Sequence, residues 1–177
     1  MRAAVITVVA AMFILLSGCK PAAPSVEYAP TGTVRDVMTS IVDPSADFIW
    51  NSVSTVVTAK GTERKEPRTD DEWKEVHNRS IALVEATNLL LMPNRHVARE
   101  GEKADNPDVE RAPQDIESMM TKDRATFLNR IGGFREAALK MLAAVDAKDV
   151  MAVEDAGETL DKACEDCHMT YWYLPGK

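Results

Sequence analysis

Near the C-terminus stand two cysteines three positions apart, the second followed at once by a histidine: Cys164-Glu165-Asp166-Cys167-His168. Two thiols at this spacing lie on nearly the same side of a helical turn. Both can then bond one edge of a flat ring, and the adjacent imidazole can swing beneath that ring to hold a central metal. This C-x-x-C-H pattern is the signature of covalent haem c attachment through Cys164 and Cys167, with His168 as axial iron ligand. The residues leave two other uses open. A redox dithiol expects a strand–helix–strand context, which the sequence lacks. A zinc site needs further ligands, yet no second cysteine pair exists, and His77 and His96 are poorly placed to complete one.

A chain that holds a ring by its last segment must supply walls for it. Glycine is scarce, with 8 residues, and no strand-like alternation between Gly/Asn turns stands out. Four segments instead carry helical periodicity. The first runs from Thr33 to Thr58, with Val34, Met38, Ile41, Ser45, Phe48/Ile49 and Val53/Val56 on one face and a kink or break expected after Asp43, at Pro44. The second runs from Asp70 to Met92, where Pro93 stops it, with the stripe Trp73, Val76, Ser80, Leu83, Thr87 and Leu90. The third runs from Asp115 to Asp146 through Ile116, Met120, Phe127, Ile131, Phe134, Ala138, Leu142 and Val145. Gly132-Gly133 in its middle is read as a place where a flat ring or a neighbouring helix comes close. The fourth runs from Asp149 to Leu174, with Val153, Ala156, Leu160, Ala163/Cys164, Cys167 and Tyr171 inward. Trp50 and Trp73 are read as core anchors rather than electron relays. The charged stretch Asn94–Pro113 reads as a crossover loop too polar for the core. The expected architecture is all-α, an antiparallel four-helix bundle with a covalently bound haem c, in which Tyr171 also contacts the cofactor.

The N-terminus reads as a separate unit. Arg2 precedes an apolar run, Ala3 to Leu16, with the layout of a secretory signal and too short to favour a spanning helix. Leu16-Ser17-Gly18-Cys19 resembles the lipobox of bacterial lipoproteins. That resemblance implies cleavage before Cys19 and lipid attachment to it, each buried CH₂ of the acyl chains contributing roughly 0.8 kcal/mol to membrane anchoring. The chain thus divides into a removable signal (1–18), a lipidated tether rich in Pro, Ala, Ser and Thr (19–32) and the cytochrome domain (33–177). Of three cysteines, one goes to lipid and two to haem, which explains the odd count without a free thiol in an oxidising compartment. By the sorting habit that this resemblance implies, Lys20 after the cysteine leans the expected location towards the outer membrane, facing the periplasm. The formal charge is −7, and −8 once the signal and its Arg2 are gone. That balance argues against nucleic acid and suits redox partner proteins that dock by complementary charge.

Taken from Val34 to Leu174, the pattern resembles the cytochrome c′ family, the class II c-type cytochromes. The specific part is C-x-x-C-H late in a fourth helix, followed by Tyr171, Trp172 and Tyr173. The resemblance implies a distal residue on the first helix, about one turn after an Arg that reaches a haem propionate. On Val34-Arg35-Asp36-Val37-Met38 this makes Met38 the candidate second axial iron ligand and Arg35 the candidate propionate partner. The family's usual spacing between the two is four, whereas here it is three. Trp172 stands where the family often has a basic residue, and Arg130 or Arg135 is the substitute. His77 or His96 as distal ligand, and an open site covered by Ile41 or Val37, are the other options. Family members often dimerise through the first two helices, for which Val53, Val56 and Val57 are available. The expected function is electron transfer by a membrane-tethered, non-enzymatic carrier, since His/Met ligation raises the potential. The alternative is a five-coordinate haem protein that binds NO or CO. A catalytic haem would need a His or Arg acid–base pair over the iron, and the first helix carries no histidine.

Overall fold

Thr33 and Thr69 each precede an acid by three residues, and each starts a helix with a capping box. At the second, Thr69 Oγ1 accepts from the Glu72 amide at 3.2 Å while Glu72 Oε2 accepts from the Thr69 amide at 2.9 Å. The computed structural model describes residues 29–176. The signal, Cys19 and most of the tether lie outside the described residues. The helices are α1 (Val34–Val37), α2 (Asp43–Ser52), α3 (Asp70–Leu91), α4 (Pro113–Lys122), α5 (Arg124–Asp146) and α6 (Val150–Tyr171). A π-helical turn, Met38–Val42, joins α1 to α2 without a gap.

The core follows the stripes read from the sequence. Trp73, Val76, Ser80, Leu83, Thr87 and Leu90 of α3 are all buried, as are Ile131, Phe134, Ala138 and Val145 of α5 and Val153, Ala156 and Leu160 of α6. The two buried hydroxyls on α3 are satisfied within their own helix: Ser80 donates to the Val76 carbonyl at 2.9 Å and Thr87 to that of Val84 at 2.6 Å. Helix α5 is central and packs most extensively on α6 and α3, while α2 packs on α3. A short turn at 147–149 reverses α5 into α6. The result is a four-helix bundle, with α1 and α2 together forming the first helix.

The structure corrects the expected boundaries in four places. The first helix does not break at Pro44; it absorbs the proline through the π turn just upstream. Proline has no N–H to continue the α pattern, and the Asp43 amide bonds instead to the Met38 carbonyl, five residues back. The same helix stops at Ser52 rather than Thr58. The β-branched run Ser54–Thr58 is strand β1, paired antiparallel with β2 (Gly61–Lys65) through a tight turn with Gly61 at φ 129°. Val56 therefore leaves the core and is 53% exposed. The third helix is broken at Asp123, whose carboxylate accepts from Thr126 N and Thr126 Oγ1 at 3.0 and 2.8 Å and caps α5. Finally, the long connection 92–112 is not wholly excluded from the core. Val97 is buried, and the connection holds the start of the bundle's first helix and the end of its last: His96 and Val97 carbonyls accept from Val34 and Arg35 amides, and Glu110 bridges Tyr173.

Candidate haem site

Leu160, Cys164, Cys167 and Tyr171 fall at spacings of four, three and four along α6, so one face of the helix carries both thiols inward. That face, with His168 beside it, lines a cavity in two lobes. One lobe, of about 250 Å³, is walled by Arg35, Met38, Asp43, Ile131, Cys167, His168 and Tyr171 among others. The second, of about 370 Å³, is walled by Met38, Val42, Asp43, Trp50, Phe134, Asp161, Cys164, Cys167 and His168 among others. Met38, Asp43, Ile131, Cys167 and His168 belong to both, so the lobes adjoin across the motif. Together they reach the roughly 300–1,000 Å³ usual for cofactor sites.

Helix α1 and the π turn form the wall opposite α6. Met38 comes from this wall and is half-buried. Arg35 stands at the edge of the first lobe, where it donates to the Lys103 carbonyl at 3.0 Å, lies 3.9 Å from Asp105 and rests over the Trp172 ring at 5.8 Å. Tyr171 packs edge-on to Phe127 with centroids 5.9 Å apart, and its hydroxyl is buried with no hydrogen-bond partner. His168 is flanked by Trp172 and Tyr173, and its carbonyl ends the helix by accepting from both of their amides.

Burial first, then the charge of Asp161, pushes the Cys164 thiol up to about 12; burial pushes Cys167 up to about 11, against a counter-pull from Arg130. Such thiols stay protonated at neutral pH, the opposite of what a redox dithiol needs. Among the described residues no group of three or more His, Cys, Asp or Glu side chains could hold a metal, so the zinc option finds no ligand set either. The haem option fits. Two neutral thiols and an imidazole face one largely apolar cavity of cofactor size, and a buried hydroxyl in its wall still lacks a partner.

Several expected residues are elsewhere. His77 is on the bundle edge, 2.8 Å from Asp146, and His96 sits 2.8 Å from Glu117; neither lines the cavity. Arg135 donates to Thr87 and Asn88, away from the motif. No protein atom lies within 4 Å of a Cβ placed on Gly132 or Gly133, so neither glycine serves a close helix approach. The glycine that does is Gly157, against Trp50. Asp43, Trp50, Val97 and Tyr173 were not singled out as site residues, yet all four line the cavity. For Asp43 the only signal was its place before Pro44. Burial pushes its carboxyl up, opposed by the charge of His168, which marks the two as neighbours.

No curated protein matches the chain. Among solved structures it is similar to a cytochrome c′ (20% identity, 82% of this chain and 99% of that one, TM-score 0.49). It is also similar to a nitric oxide complex of a mutant cytochrome c prime from Alcaligenes xylosoxidans (19% identity, 83% and 98%, TM-score 0.49). A ferrous variant of that protein with bound NO gives 18% identity over 84% and 99%, TM-score 0.49. The family model described as Cytochrome C' matches residues 101–172, from the long connection through α4, α5 and α6. The matched stretch contains the whole attachment motif Cys164-Glu165-Asp166-Cys167-His168, and over these residues the chain is similar to that family.

Proposed function

We propose that this chain is an exported haem protein that binds a small neutral diatomic ligand, NO or CO, at an iron held by His168. The observation that carries this reading is the shape of the cavity. It extends as two lobes past the motif, and the lobe that contains Cys164 sets the apolar side chains Met38, Val42, Ala46, Ile131 and Phe134 beside the carboxylates of Asp43, Asp47 and Asp161. Such a wall offers an anion no Lys or Arg to pair with and favours neutral ligands over charged ones. No second histidine lines either lobe. The family is consistent with this use, since it includes members with an open iron.

Met38 supports a second reading. It lines both lobes, and a thioether there could close the sixth position and favour electron transfer. In either reading the chain acts by binding or carrying rather than by catalysis, in the periplasm, and Cys19 lipidation would tether it to a membrane leaflet. No helix among the described residues is long and apolar enough to cross a membrane.

Visible spectra of oxidised and reduced protein, with and without CO, separate the two. High-spin iron that takes CO at once, with little change in Met38→Ala, supports ligand binding. A six-coordinate low-spin spectrum that becomes high-spin in Met38→Ala refutes it in favour of the carrier.

A further inference from the structure

We propose that Asp43, carried into the haem cavity by the π-helical turn, is a specificity-determining residue that disfavours anionic ligands at the iron. The proposal deepens the ligand-binding reading and rests on an accessible axial position.

The geometry begins with the helix. In an α-helix, residues five apart point about 140° away from each other. A π turn widens the helix and swings residue i+5 towards the face of residue i, and here the Asp43 amide bonds to the Met38 carbonyl across the turn Met38–Val42. That is why Met38 and Asp43 both line both lobes. In a regular α-helix only one of them could face His168. Single π turns inside α-helices are frequent at functional sites, and this one sets a carboxylate beside the residue that faces the motif.

No Lys or Arg faces Asp43 on its own side; the one basic side chain in its lobe is His168, the residue that would hold the iron. The lobe that contains Cys164 is lined by Asp43 and Asp47, one turn apart on α2, and by Asp161 from α6; no Lys or Arg lines it. Nearby cations are engaged or lie outside. Lys162 bonds Asp166 at 2.9 Å, Arg64 lies 3.3 Å from Glu154, and Arg130, whose charge reaches Cys167, lines neither lobe. Arg35 in the other lobe is held by the Lys103 carbonyl and lies near Asp105. A cleft lined by one sign of charge, with low-dielectric walls, focuses its field and depletes ions of that sign. An anion approaching the iron from the α1–α2 side meets Asp43 in either lobe; a neutral diatomic does not feel the same field.

The test uses the haem-loaded full chain with Met38→Ala, so that this side chain cannot gate the iron. Stopped-flow association of azide is measured on the ferric form and of CO on the ferrous form at neutral pH. The ratio of the azide to the CO rate constant should rise about five- to tenfold in Asp43→Asn and further in Asp43→Asn/Asp47→Asn/Asp161→Asn. The azide rate before substitution should also climb with ionic strength, and that slope should flatten in the triple variant. A ratio unchanged within about twofold, parallel rises of both rates, or an unaltered salt slope overturns the proposal. Failure of the ligand-binding reading shows separately, as a low-spin spectrum of the chain with Met38 intact.

Discussion

Gly157 and Trp50 should be coupled strongly enough to reverse the sign of a substitution. A Cβ at Gly157 would meet Trp50 Cδ1 at 3.3 Å and Nε1 at 3.4 Å, and the indole N–H already reaches the Gly157 carbonyl at 3.4 Å. Placing alanine there gains about 0.8–1 kcal/mol of helix propensity but forces a bulky ring to move within a packed contact, which costs about 1–3 kcal/mol. Gly157→Ala should therefore destabilise the protein by up to about 2 kcal/mol. In a Trp50→Ala background the clash is gone, and the same substitution should stabilise by about 1 kcal/mol. The Gly133→Ala variant serves as the control, since no protein atom lies within 4 Å of its new methyl group; it should gain about 1 kcal/mol in both backgrounds. Urea unfolding of the four haem-loaded proteins of the cycle and the two control variants, followed by far-UV circular dichroism, gives the coupling directly. Because Trp50 also walls the lobe that contains Cys164, Gly157→Ala should perturb the Soret band while Trp50→Ala abolishes that sensitivity. If Gly157→Ala stabilises as much as Gly133→Ala and shows no coupling to Trp50, the packing argument is wrong.

Two further outcomes follow from the core and the caps. Leu160 is fully buried one turn before Cys164, so Leu160→Ala should cost about 2–5 kcal/mol; calorimetry that shows a loss below 1 kcal/mol would remove this residue from the core that fixes the motif. The Glu72 carboxyl is held below its ordinary value by the amides of Arg68 and Thr69 and by the Thr69 hydroxyl. A carboxyl lowered in the folded state adds stability above its unfolded pKa and loses it as pH falls through the folded value. Thr69→Ala should therefore reduce the drop in urea midpoint between pH 7 and pH 3, and an equal drop in both proteins would show that the capping box carries no acid sensitivity.

Much of this fold was legible because burial repeats with the helix. The stripes on α3 and α6 needed only the 3.6-residue period, and the C-x-x-C-H spacing needed only one turn. Cys164, Cys167 and His168 are brought together because their neighbours in sequence are their neighbours in space. The hairpin was missed for a related reason: Val53, Val56 and Val57 also satisfy a helical stripe, and a short apolar run does not declare its period. What decided it was backbone preference, with β-branched residues beside Gly61 at positive φ. Asp123 hid similarly, since one capping carboxylate inside a long periodic segment leaves the period on either side almost intact.

Asp43 was hidden more deeply. Reading the first helix at 100° per residue puts Asp43 well away from Met38. A π turn changes that arithmetic, and nothing in the apolar pattern announces one. The one available clue is Pro44, which removes an amide and must be accommodated by a break, a kink or a wider turn. A break would have released the upstream segment from the bundle, and with it Arg35, Met38 and the wall opposite His168. The wider turn keeps the helix continuous and keeps that wall in place, at the cost of turning an acidic side chain towards the cavity. A carboxylate there is unfavourable for packing. A substitution such as Asp43→Ala should therefore be tolerated or stabilising in urea while it shifts the azide-to-CO ratio; a large loss of stability with no change in that ratio would mean that the residue serves the helix rather than the haem.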